Sequence, residues 1–303
     1  MVRDKEIEVN DIDGFFNELF DLQKTGNYFF RGISKEEHYS PTLFREFQKI
    51  RKKRTPYKFV WKYETRLLEK FGRYSVQYLP AISTPLDWVA SAQHFGIPTR
   101  LLDWTFDPFY GLYFSVFYNK KNNASTEEDK HYHLLVINKN RHLYFEEVPR
   151  IMPFNFTDRI DTNNQLLEDF KYLVGSISGQ IEISIQLTKN SVERNFIQQI
   201  KKDLGESKEP SKLFFCSINH SNPRIVAQNG LFQIPRTYGE GATKGWIKRD
   251  IVNGCHKIYK IHKDQRQEIL VKLSNMNINS IRLFPDLQSI CDYIRITTTY
   301  DVS

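Results

Sequence analysis

Between Gln93 and Val116 the chain reads QHFGIPTRLLDWTFDPFYGLYFSV, where Gln93, His94, Thr99, Arg100, Asp103 and Thr105 are interleaved with Phe95, Leu101, Leu102 and Trp104. Apolar side chains at that density are buried to offset the entropy lost on folding, and any charge buried with them is costly unless paired or hydrogen-bonded. The segment therefore demands a polar network inside an apolar wall. Two arrangements meet the demand. In a pocket, His94 is a hydrogen-bonding or proton-transfer group, Thr99 and Arg100 hold a ligand with Arg100 as anion clamp, Asp103 orients one of them, and Trp104 or Tyr113 offers a stacking face. In a locked loop, Arg100 and Asp103 hold the backbone and His94 completes a helix end. The compact mixture favours the pocket.

Punctuation around this segment predicts its neighbours. Asp11 to Leu22 carries Phe15, Phe16, Leu19 and Phe20 on one helical face, Gly26-Asn27 ends it, and Tyr28 to Gly32 follows as a strand. Tyr57 to Leu79 has helical spacing of Trp61, Leu67, Leu68, Phe71 and Tyr74. Thr84-Pro85-Leu86-Asp87 opens a helix that Gly96 closes after Phe95, and Asp107-Pro108 and Asn222-Pro223 open two more, over Phe109 to Phe117 and Arg224 to Asn229. Strands are expected at Tyr132 to Ile137, Ile181 to Gln186, Leu213 to Ile218, Leu231 to Ile234 and His256 to Ile261. Helices are expected at Ser191 to Leu204, Gln265 to Leu273 and Asp286 to Ile294, with a polar loop over Asn119 to Lys130 and a glycine-rich excursion over Gly239 to Gly245. Without a repeat or a regular strand, crossover, strand rhythm, the pattern predicts a mixed α+β domain of short strands and flanking helices rather than a doubly wound nucleotide fold. It divides into a helical lead-in at 1–26 and a domain at 27–296 with a polar insertion near 119–130.

The three cysteines, Cys216, Cys255 and Cys291, are widely spaced and odd in number, which points to a reducing compartment and away from a disulfide framework. The opening VRDKEIEVNDID lacks an apolar stretch and no later run approaches membrane-spanning length, so a cytoplasmic protein without membrane contact is expected. The formal charge is +7, and Lys49, Arg51, Lys52, Lys53 and Arg54 supply much of it: a surface for phosphate, or a solvated loop.

Other residues can join the pocket. Arg31 ends an apolar strand and Gly32 removes side-chain bulk beside it, which suits a phosphate or carboxylate clamp; the structural alternative pairs Arg31 with Asp103 or Asp107. Arg224 and Gln228 lie four apart, so both project from one helical face, as an anion binder and an amide for a base, or as a tie to the next strand. Glu240 and Glu268 are candidate catalytic carboxylates. His131 and His133 alternate on a strand without companion ligands at diagnostic spacing, so no metal is predicted.

The segments Tyr28 to Gly32, Pro41 to Arg45, Gln93 to Val116, Arg224 to Phe232 and Leu283 to Leu287 together resemble the FRG domain family, named for its aromatic-Arg-Gly segment, from Phe29 to Tyr293. The resemblance implies an intracellular effector in bacterial defence or toxin-like settings, and one reading of it is a divergent ADP-ribosyltransferase fold and activity using NAD. Arg31 would then hold the pyrophosphate or ribose, Trp104 or Tyr113 would pack on nicotinamide, Gly111-Leu112-Tyr113-Phe114 is similar to a segment lining the cofactor, and Glu240 or Glu268 would stand for the late glutamate. A second expectation is a nucleic-acid or nucleotide binding module, with or without hydrolytic activity, with Lys49 to Arg54 on phosphates and Arg31, Arg100 and Arg224 gripping an anion. A third is a sensor without a reaction, docked to a partner protein of a defence system.

Overall fold

A computed structural model describes residues 5–50, 59–75, 78, 85–117, 130–145, 213–217, 223–234, 244–287, 290, 291 and 294. The expected strand Ile181 to Gln186, the helix Ser191 to Leu204, Glu240, Arg51 to Arg54 and most of the polar loop and glycine-rich excursion lie outside these residues.

The strands are β1 (Glu6–Glu8), β2 (Tyr28–Ile33), β3 (Leu102–Thr105), β4 (His131–Asn138), β5 (Leu143–Phe145), β6 (Phe214–Cys216), β7 (Gly230–Ile234) and β8 (Lys257–His262). The helices are α1 (Ile12–Thr25), α2 (Thr42–Ile50), α3 (Phe59–Ser75), α4 (Pro85–His94), α5 (Pro108–Val116), α6 (Pro223–Ala227), α7 (Lys244–Gly254), α8 (Arg266–Asn275) and α9 (Ser280–Leu283). This is a mixed α+β domain. Its strands form one sheet in the order β1-β8-β4-β2-β3-β7-β6-β5. No helix among the described residues is long and apolar enough to cross a membrane.

Strand periodicity sorts the core into two layers. On one face Phe30, Leu134, Val136 and Tyr259 pack with Phe15, Phe16 and Leu19 of α1, Phe109 and Leu112 of α5, and Ile269 and Leu273 of α8. On the other, Phe29, Ile33, Leu135, Leu102 and Trp104 pack with Leu43 and Phe44 of α2, Phe215 of β6 and Ile247 and Ile251 of α7.

The helix signals act locally. Asp11 caps α1 through its side chain, Gly26 closes it at φ 63°, and Gly96 takes φ 87° after α4. Asp107 caps α5 by accepting from the backbone N–H groups of Phe109 (2.8 Å) and Tyr110 (3.2 Å), and also accepts from Gln23 Nε2 at 3.0 Å. It is therefore committed to α5 and α1 rather than to Arg31. The segment after Arg100 is a strand, which its polar interruptions had concealed, and β1, α2 and α7 carried no signal singled out in the sequence.

Sheet pairing positions the site. β2 pairs with β4 at six positions, from Tyr28↔Asn138 to Ile33↔His133, and β3 pairs with β7 at four, from Leu102↔Gln233 to Thr105↔Gly230. Between β2 and β3 there is a single register pair, Phe30↔Thr105. Beyond that pair, Arg31 on one strand and Asp103 on the other border a gap in the ladder.

Candidate functional site

A cleft of about 400 Å³ opens at this gap, lined by β2, β3, α2, α4, α5 and α6 and by Phe284. Its polar side chains include Arg31, His38, Thr42, Arg45, Gln93, His94, Asp103, Arg224 and Gln228, and its apolar surface comes from Phe30, Phe114, Ile225, Phe232 and Phe284. The sequence-derived set of Arg31, His94, Asp103, Arg224 and Gln228 thus converges on one space.

Arg31 spans the gap. Its Nη1 donates to the Asp103 carbonyl and its Nη2 to the His38 carbonyl at 3.0 Å, so it bonds to the Asp103 backbone rather than pairing with its carboxylate. Burial lowers the guanidinium pKa to about 10 against the opposing pull of Asp103. Arg45 donates from Nη2 to Thr42 Oγ1 at 3.1 Å, and burial again lowers its pKa. Among the described residues, Nε of Arg31 and Nε of Arg45 are buried without a hydrogen-bond partner. Arg224 lies 4.6 Å over the Phe284 ring and is likewise lowered by burial. Gln228 Nε2 donates to the Leu283 carbonyl at 3.0 Å and its own carbonyl accepts from Thr105 Oγ1 at 2.8 Å, tying α6 to β3 and α9.

Asp103 is the carboxylate among the described lining residues, and its charge acts on Arg31 and Arg224; at Arg45 the larger pull comes from Glu37, whose Oε1 lies 3.9 Å from Nη1, and at Arg224 Asp286 adds to that of Asp103. Gln93 Nε2 donates to its Oδ1 at 2.7 Å. His38 is pushed down to about 3 by burial and then by Arg45 and Arg31, and its Nδ1 lies 2.9 Å from Ser34 Oγ; His94 is lowered by burial and then by Arg224. Three guanidinium groups therefore gather in one cleft with Asp103, part of their charge offset by Glu37 and Asp286, and the two imidazoles are held toward their neutral form. Such a surface is chemically prepared for an anion, because a bound anion relieves the desolvation that burial imposes on each cation.

Several expected residues lie elsewhere. Arg100 is fully buried and paired with the equally buried Glu64, its Nε at 2.8 Å from Oε2, so it anchors the wall and grips no ligand. Thr99 is fully buried behind the cleft, where its hydroxyl donates to Gln93 Oε1. Trp104 borders the cleft, but it is buried, its indole N–H donates to Gln233 Oε1 at 2.9 Å and its ring meets that of Phe215 at right angles, which anchors it in the core. Tyr113 stacks on Phe117 in the opposite layer; Phe114 is the α5 ring that reaches the cleft. Gly32 lines the cleft, yet a Cβ there would collide with the Gly111 carbonyl oxygen and the Ser115 nitrogen, so its bareness serves the contact of β2 with α5 rather than a ligand. Glu268 is exposed on α8 and does not line the cleft, and no group of three or more His, Cys, Asp or Glu fit to hold a metal occurs among the described residues.

Arg45, Thr42, His38 and Glu64 were not singled out as site or network residues from sequence. For Glu64 a signal existed: Val60, Glu64 and Leu68 follow one another at i, i+4 spacing on the buried stripe of α3, and a carboxylate in such a stripe requires a buried cation.

Residues 26–124 match the model of the FRG domain. No curated protein and no solved structure matches the chain. The blocks Arg224 to Phe232 and Leu283 to Leu287 fall beyond the matched stretch, although they bring Arg224, Gln228, Phe232 and Phe284 to the cleft. The likeness to the FRG domain therefore extends over residues 26–124, and not, as the resemblance from Phe29 to Tyr293 implied, across most of the 303-residue chain.

Proposed function

We propose that the cleft is a nucleotide site and that its reaction is ADP-ribosyl transfer from NAD to a macromolecular target, the intracellular effector role implied by the family resemblance. The observation that carries this reading is the gathering of Arg31, Arg45 and Arg224 in one cleft with Asp103, the one carboxylate among its described lining residues. Arginine forks suit phosphate oxygens, and a volume of about 400 Å³ lies within the range of small-molecule sites. Arg31 and Arg45 take the phosphates, while Phe114 and Phe284 line the end that receives a planar base or nicotinamide. Asp103, rather than Glu268, is the carboxylate available to stabilise positive charge on the ribose as nicotinamide leaves. The divergent ADP-ribosyltransferase-like fold belongs to this same proposal.

Calorimetry with NAD, ADP-ribose, AMP and inorganic phosphate tests the site, and chromatographic detection of free nicotinamide tests the reaction. Binding of NAD and ADP-ribose that weakens at least tenfold in Arg45→Met, with nicotinamide release abolished in Asp103→Asn, is expected. No binding of any of the four at millimolar concentration would overturn the nucleotide reading. Binding without nicotinamide release would favour a second reading, a nucleotide-binding sensor, which is supported by the presence of only one carboxylate among the described lining residues.

A further inference from the structure

Behind Asp103 runs a chain of hydrogen bonds whose direction is determined. The Thr99 hydroxyl accepts from the Leu101 backbone N–H at 3.3 Å, so its one proton is free to be donated to Gln93 Oε1. The orientation of the Gln93 amide is set from its other end, because the Asp103 carboxylate only accepts and so takes the NH2 side, leaving Oε1 to the Thr99 hydroxyl. The NH2 group is thereby turned to Asp103 Oδ1, 2.7 Å away. Thr99 itself is held by its backbone: its carbonyl accepts from the Leu43 N–H at 3.0 Å, and the next residue, Arg100, is paired with Glu64. The chain thus starts in a buried ion pair and ends on a carboxylate at the cleft surface.

We infer that Gln93 is a positioning residue which, locked by Thr99, holds the Asp103 carboxylate with one oxygen engaged and the other directed at the ligand. This deepens the nucleotide reading and rests on it for its functional consequence. Gln93 lines the cleft at the end of α4, yet its amide is occupied on both sides, so its contribution passes through Asp103. A carboxylate held by one charged hydrogen bond has its torsional freedom reduced before a ligand arrives, and that preorganisation is what substitution would undo.

The test pairs a structural readout with a functional one. Crystal structures of the protein and of Gln93→Leu compare the Asp103 rotamer: a displaced or split carboxylate is expected, and an unmoved one overturns the inference whether or not any ligand binds. With ADP-ribose as probe, calorimetry on Gln93→Leu, Asp103→Asn and the double variant forms a cycle. Gln93→Leu is expected to weaken binding about tenfold alone and to add little in the Asp103→Asn background; additive losses overturn the inference. The near-isosteric Gln93→Glu keeps the acceptor for Thr99, removes the donor to Asp103 and adds a negative charge beside it, so it should weaken binding at least as much as Gln93→Leu does, with its fold checked by thermal melting. If it binds as the unaltered protein does, the donor to Asp103 is irrelevant and the inference fails. Should the unaltered protein bind no nucleotide, the nucleotide reading falls and the rotamer comparison alone decides the role of Gln93.

Discussion

Replacing Arg100 by Met would leave the Glu64 carboxylate among Val60 and Leu68, dependent on the backbone N–H of residue 100. Removing one partner of so deep a pair should cost about 3–5 kcal/mol, whereas a double Glu64→Leu, Arg100→Met variant should cost much less, and urea denaturation separates the two. Arg31 and Arg45 belong to the other kind of arginine, with charge turned to a cleft. His38, between them, refuses a proton that the unfolded chain accepts. Its pKa falls from 6.5 to about 3 on folding, so stability is full above pH 6.5 and declines as pH falls through that window; the slope should flatten in His38→Gln, read by denaturant midpoints from pH 7 to 4. The convergence of Arg31, Asp103 and Arg224 was legible because each stands as a polar exception in an apolar run. Arg45 was not, because α2 places it beside the cleft only through the turn of a helix that the sequence left unmarked.

Helix starts and stops read well because each is settled by two or three neighbouring residues, as at Asp107-Pro108 and at Gly96. What local chemistry cannot express is the distance between elements. Gly32 illustrates this: it looked like room for a ligand and is instead the place where α5 lies directly on β2, with a matching approach of Gly111 to Phe30, where an added Cβ would come within 2.9 Å of the Phe30 Cβ. Gly32→Ala should push the helix off the strand and destabilise the protein by about 3 kcal/mol. Gly26→Ala, at φ 63° with open space around it, should cost only the left-handed strain, about 1–2 kcal/mol. Thermal denaturation of both variants checks the contrast.

For the whole molecule, the stretch that matches the FRG domain is not a folding unit in this architecture. Residues 26–124 contain β2 and β3, which share one register pair, and omit β4, β7 and β8, which supply the long ladders. A 26–124 fragment should therefore show no cooperative urea transition and poor amide dispersion by NMR. The cleft depends on the same completeness, since α6 and Phe284 close its far side. The missing rungs between β2 and β3 have one more consequence. They divide the sheet into two leaves of four strands, β1-β8-β4-β2 and β3-β7-β6-β5, and part of the work of holding the leaves together falls to rings. Phe29 on one leaf meets Phe215 at 5.0 Å and Tyr144 at 5.1 Å on the other, a shim of aromatics behind the opening. The aperture is thus set by side-chain thickness and can be adjusted from the back: Phe215→Leu, at a residue that does not itself line the cleft although its ring meets that of Trp104, should let the leaves draw together and weaken nucleotide binding about threefold or more by calorimetry.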